Sequence, residues 1–181
     1  MRKVVAYELL SLDGVAEDPD AFITDFDDVM EENLGRVIAT QDAVILGRRT
    51  YDHWAAFWPG SDIEPFASFI NGVAKFVATA TPPDREWANT DIIDRDLHVF
   101  VSELKQQSGS DIGLHGSIAT VQSLLHHGLV DELRLVIAPA VQMSGRKLFD
   151  VGLPTRLTLT RHDVSPTGYL LLDYHVQSAV D

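Results

Sequence analysis

The feature that most constrains this chain is a junction. Ala43-Val44-Ile45-Leu46 is a continuous apolar run closed by Gly47, and Tyr51, Trp54, Ala55 and Trp58 follow at the spacing of one helical face. An apolar run without alternation reads as a strand buried on both faces. Such a strand, turning at once into a helix, belongs in a parallel sheet, because parallel neighbours need a crossover between them. Pro59-Gly60 stops the helix.

The same alternation recurs along the chain. Val4 to Leu10 reads as a buried strand ended by Ser11-Leu12-Asp13-Gly14, and Phe26, Met30, Leu34, Val37 and Ile38 fall at helical spacing. Ile63 to Ile70 reads as a short helix and Ala74 to Ala78 as a strand. Leu97 to Val101 alternates like a strand, but Leu97, Phe100, Val101 and Leu104 together favour a helix. Ile112-Gly113-Leu114 is a short strand; Ile118, Val121, Leu125 and Leu129 form a helix with Ser117 as N-cap and Gly128 near its stop. Leu133, Leu135 and Ile137 alternate as a strand, and Thr155–Arg161 and Tyr169–Val176 form a hairpin through Pro166-Thr167-Gly168. The expected fold is α/β, a mostly parallel sheet with helices on both faces and antiparallel strands at one edge, in a single domain over residues 1–181.

Charge limits the partners. With 14 basic and 27 acidic residues, the net charge is −13. Such a surface repels phosphate backbones, so nucleic acid and anionic membranes are not expected. No stretch approaches the roughly 18 apolar residues of a membrane span. Glu8 comes too soon for a secretory leader, and the absence of cysteine fits a reducing cytoplasm. An anion can bind only where backbone N–H groups and a few arginines are concentrated.

Two strand-to-helix junctions meet that requirement. In Gly47-Arg48-Arg49-Thr50, the glycine permits close approach, the threonine offers a hydroxyl, and two guanidinium groups supply positive charge. In Leu114-His115-Gly116-Ser117, a glycine and a hydroxyl again stand at a helix start. In open parallel sheets ligands bind outside the carboxyl ends of the strands. Two anion-binding helix starts on that edge suit a pyrophosphate plus one further phosphate, as in NADP.

Read in order, Ser11-Leu12-Asp13-Gly14, Gly47-Arg48-Arg49-Thr50-Tyr51, Gly116-Ser117, Gly128-Leu129-Val130-Asp131-Glu132-Leu133 and Ser144-Gly145-Arg146-Lys147-Leu148-Phe149 resemble the dihydrofolate-reductase-like superfamily. The resemblance is to its branch containing the reductase (C-terminal) domain of the riboflavin-biosynthesis protein RibD. It implies a three-layer αβα fold with about eight strands, and NADPH as hydride donor. By position it implies that Arg48 lies near the 2′-phosphate, Arg49 and Thr50 near the phosphates, and Thr79 on the adenosine side. Gly116 and Ser117 would meet the pyrophosphate, flanked by Leu114 and His115, and Leu12, Asp13 and Gly14 would form the loop over the nicotinamide. The chain departs from the superfamily where His115-Gly116 replaces a glycine pair and where the first loop lacks the Pro-Trp of folate enzymes. A zinc deaminase with a Pro-Cys-x-x-Cys motif has no counterpart in a sequence without cysteine.

Reduction of a C=N bond also needs a proton, and Asp27, flanking the Phe26–Met30–Leu34 face, is the candidate donor, with two readings: it points into a cleft with a raised pKa, or, like Asp25, Asp28, Glu31 and Glu32, it favours a helix N-terminus and stays solvated. No metal site is expected: His126 and His127 are adjacent and diverge, and the acids around Asp18 and Asp20 lack the glycine of a calcium loop. The resulting expectation is an NADPH-dependent reductase of a small heterocycle or its sugar adduct, forming a homodimer through the C-terminal strands. The alternatives are a pterin or dihydrofolate reductase, and a nucleotide-binding relative without catalysis.

Overall fold

The structure, a computed structural model, describes residues 1–149 and 154–177. Its strands are β1 (Val4–Leu10), β2 (Gln41–Gly47), β3 (Ala74–Ala78), β4 (Thr90–Ile93), β5 (Asp111–His115), β6 (Glu132–Ile137), β7 (Leu157–Val164) and β8 (Leu170–Val176). Its helices are α1 (Asp28–Ile38), α2 (Arg48–Phe57), α3 (Phe66–Gly72), α4 (Leu97–Gln106) and α5 (Ile118–His126). The strands form one eight-stranded sheet in the order β4-β3-β2-β5-β1-β6-β8-β7. The six strands from β4 to β6 pair in parallel, and β8 and β7 complete the sheet antiparallel. The three-layer arrangement expected from the sequence is therefore the one observed.

Side-chain alternation sorts the helices between the two faces. Tyr7, Val44, Leu46 and Val77 point to one face and share a core with Met30, Leu34 and Val37 of α1, Tyr51 and Ala55 of α2, and Phe66 and Ile70 of α3. Val4, Ala6, Ile45, Ile112, Leu114, Leu133 and Leu135 point to the other face and pack on Val101 and Leu104 of α4 and Ile118, Val121 and Leu124 of α5. Burial of such side chains is worth about 1.5–3 kcal/mol each.

Several local expectations hold and several shift. The ambiguous segment after residue 96 is helical; Asp96 caps it by accepting from the His98 and Val99 N–H groups. Gly128, at φ +65°, ends α5, with the Leu129 N–H donating to the Leu124 carbonyl. Phe26 lies before α1 and is 45% exposed, so it is no part of that helix's apolar face. β4 was not legible: it is four residues long, on the sheet edge, and only Ile93 is buried.

Candidate functional site

The connectivity opens a crevice at the carboxyl ends of the strands. β5 lies between β2 and β1. The helices that follow β1 and β2 pack on one face, whereas α5, which follows β5, packs on the other. Divergence of successive crossovers leaves a cleft beyond the strand ends, where ligands settle in open α/β sheets. The N-termini of α2 and α5 both face this cleft and carry positive helix-end potential.

The two helix starts are tied together. The Ser117 hydroxyl accepts from the Gly47 N–H at 2.9 Å and donates to the Thr50 hydroxyl at 2.9 Å. The Thr50 hydroxyl also contacts the Gly116 carbonyl at 3.2 Å. Ser117 therefore holds the N-cap position but makes no side-chain cap, its hydroxyl being spent across the crevice. Gly47 is needed there because a Cβ would stand 3.0 Å from Thr120 Oγ1. Gly116 is exposed, has φ +63°, and a Cβ on it would meet the Trp54 ring at 3.2 Å.

Arg48 is held in place by its own chain. Its Nε donates to Asp52 at 2.6 Å, and one terminal nitrogen donates to the Thr81 carbonyl and hydroxyl and to the Pro82 carbonyl. The other terminal nitrogen faces only Asp84, 3.7 Å away and 94% exposed. Arg49 is exposed and reaches Glu17 at 3.6 Å. Thr79 folds its hydroxyl onto Thr81 and lines an open groove of about 620 Å³ beyond β3 and β4, together with Pro82, Ile92, Asp94 and Arg95.

The loop after β1 closes the other end of the crevice. Leu12 is 64% exposed and Gly14 takes φ +85°. Asp13 accepts from the Ser11 hydroxyl and from the Gln142 and Met143 N–H groups, and these bonds hold its carboxyl at about 2. Asp13 thus fastens this loop to the one after β6, leaving Leu12 to present an apolar surface.

Other expected residues occupy different places. Leu114 is buried in the α5-side core, and His115 is buried on the opposite face. The His115 ring is bonded to Gln41 and kept neutral by burial, its pKa pushed down to about 3. Their side chains do not reach the crevice; Gly116 and Ser117 alone carry the junction there. Asp27 is the N-cap of α1, accepting from the Met30 N–H and from the Thr167 N–H and hydroxyl. These bonds lower its carboxyl to about 2, so the expected raised pKa is corrected: Asp27 is ionised at neutral pH and has no proton to give. His127 bonds the Ser123 carbonyl, complementing the end of α5 as its position implied, and stacks on His98. Among the described residues no cluster of His, Asp or Glu could hold a metal ion, and no helix is long and apolar enough to cross a membrane.

The sequence reading missed Glu8. It stands on β1, is buried, and follows the Tyr7–His115 register pair, which places it beside Gly116. Its Oε1 has no partner, and burial pushes its pKa up to about 8. The available signal was a carboxylate inside an otherwise apolar strand.

Comparison with known proteins agrees with this fold. The RibD C-terminal domain matches residues 2–171. YwjB, an uncharacterised protein of Bacillus subtilis, is 28% identical over 151 residues, covering 82% of this chain and 83% of YwjB. A protein of Shewanella sp. PV-4, provisionally named for riboflavin biosynthesis, superposes with TM-score 0.80 at 16% identity, covering 97% of this chain and 99% of that one. The Thermotoga maritima diaminohydroxyphosphoribosylaminopyrimidine deaminase/5-amino-6-(5-phosphoribosylamino)uracil reductase superposes with TM-score 0.70 at 14% identity, over 97% of this chain but 57% of that one. These structural likenesses establish the fold.

Proposed function

This chain belongs to the RibD C-terminal domain family, and from that premise we propose that it is an NADPH-dependent reductase acting on a small heterocycle or its sugar adduct. The observation that carries the reading is the pair of helix starts bridged by Gly47, Ser117 and Thr50 at neighbouring strand ends. The 5-amino-6-(5-phosphoribosylamino)uracil reductase activity named for the Thermotoga protein is the type of chemistry we infer.

The residues fit a dinucleotide along the crevice. The α5 start, with Gly116 free of a side chain, receives the pyrophosphate, with Thr50 and Arg49 from the α2 start. The groove at Thr79 takes the adenosine, and Arg48, already oriented, offers its remaining nitrogen to a 2′-phosphate in place of the exposed Asp84. Leu12 and Gly14 cover the nicotinamide. When bound, NADPH supplies a hydride to an electrophilic carbon of the substrate. The proton that balances the reduction comes from water at the cleft mouth, since Asp27 is ionised. Asp27 is better suited to accept a hydrogen bond from a ring N–H of the heterocycle, placing it for transfer.

The test is NADPH consumption against a panel holding the riboflavin-pathway pyrimidine, pterins and dihydrofolate, alongside calorimetric NADPH binding. Turnover of the pyrimidine alone supports the reading. Turnover of dihydrofolate alone moves the protein to the folate reductases. Binding without turnover makes it a nucleotide-binding relative, and absence of binding at millimolar cofactor overturns the reading.

A further inference from the structure

Glu8 has no part in the chemistry just described, yet it sits against the place where the pyrophosphate would bind. It is 2% exposed on the α5 side of the sheet, paired in register with Leu135 of β6. Around it are the apolar side chains of that core. Among the described residues the charged side chains packed around it lie elsewhere, and Arg146 and Lys147 on the loop packed against α5 are exposed. His115 of β5 and Arg134 and Glu132 of β6 alternate onto the other face, in register with Tyr7 and Val5. Lys105 of α4 pairs with Asp131 at the far end of β1, beside Val4. α5 carries no titratable residue before His126.

Glu8 thus lies beside Gly116 by register, and its Oε1 is buried with no partner. A carboxylate and a pyrophosphate would then share one helix N-terminus in a low-dielectric setting. Two anions that close cannot both stay ionised without a large cost. We propose that Glu8 is a positioning residue of the dinucleotide site that must be protonated for the pyrophosphate to bind at Gly116–Ser117, so that cofactor binding takes up a proton. In its protonated form Glu8 no longer repels the phosphate. The inference rests on the reductase reading for the presence of a dinucleotide. Neither the family match nor the fold implies the proton linkage.

With Glu8 titrating near 8, binding restricted to the protonated form weakens about tenfold between pH 7 and pH 9 by linkage. Calorimetry with NADPH and with NADH, in two buffers of different ionisation enthalpy, reads both affinity and proton count. Wild type is expected to lose about tenfold affinity by pH 9 and to take up nearly one proton there. Glu8→Gln is expected to bind with a flat profile and no uptake. Lys75, which also titrates near 8 but lies beside Trp87, is retained in that variant and serves as its internal control. Glu8→Leu repeats the measurement in an apolar surrounding should the glutamine variant fail to fold. Equal wild-type affinity at pH 7 and pH 9 without uptake overturns the inference while leaving the reductase reading intact. A wild-type slope that persists in Glu8→Gln or Glu8→Leu does the same. Failure of wild type to bind either cofactor at pH 7 overturns the reductase reading and this inference with it.

Discussion

Arg48 shows how a residue can be made ready for a ligand by its own chain. Asp52, Thr81 and Pro82 hold three of its donor directions, so little side-chain entropy remains to be lost when a phosphate meets the last nitrogen. Arg48→Ala is expected to weaken NADPH binding by about 1.5–3 kcal/mol, the range for a hydrogen bond to a charged group, and to leave NADH nearly unchanged. Calorimetric titration of both cofactors measures the difference. Asp13 gives a prediction of another kind. Its folded pKa is lowered to about 2 from the ordinary 3.8, so the stabilisation it provides is complete above the unfolded value and disappears as pH falls through the folded one. Melting temperature should therefore fall between about pH 4 and pH 2, and Asp13→Asn should flatten that part of the curve. The sequence marked Asp13 as a site residue without revealing that it acts through the Gln142 and Met143 amides, because a contact across 129 positions leaves no local pattern.

Among the elements, strands and helices with strong periodicity were legible because each buries a full face: β1, β2 and α2 appear where their apolar spacing put them, whereas α1 starts after Phe26 and α5 ends before Leu129, both of which the spacing had included. The short edge strand β4 was not, since an element with one buried residue has no periodicity to read. The two helix starts of the crevice were legible from glycine and hydroxyl at a strand end, whereas the hydrogen bonds joining them arise only because β5 inserts beside β2. Asp27 was ambiguous in sequence for a related reason. A carboxylate before an apolar helical face is equally the pattern of an N-cap, and the cap is what forms. The closeness of the two starts yields a test. Gly47→Ala would place a methyl 3.0 Å from the Thr120 hydroxyl and 3.6 Å from that of Ser117. It should push the α5 start from α2 and weaken NADPH and NADH alike by roughly tenfold, about 1.4 kcal/mol. Calorimetry of the variant checks this, with circular dichroism showing that the fold persists.

Among the described residues no strand pairs with the outer edge of β7; Leu159 and Val164 are 48% and 58% exposed, and Leu157 and Leu170 are exposed with them. The strand carries a register irregularity after Leu159 and the Arg161–Asp163 ion pair, features that discourage pairing, but it also offers an apolar strip on one face. We propose that a second copy covers it, forming a homodimer related by a two-fold axis. Light scattering should report twice the 20.0 kDa chain mass at micromolar concentration, and Leu159→Glu should return the monomer. A monomer in the wild type would refute this assembly. The placing of β5 between β2 and β1 has a consequence for synthesis. A chain leaving the ribosome makes β1 and β2 early, but neither can pair with the other in the native order. Their inner edges stay open until residues 111–115 emerge to join them. Birth of the crevice is thus a late event in translation, and half-made chains carry an open edge on β2 and two on β1, which also awaits β6.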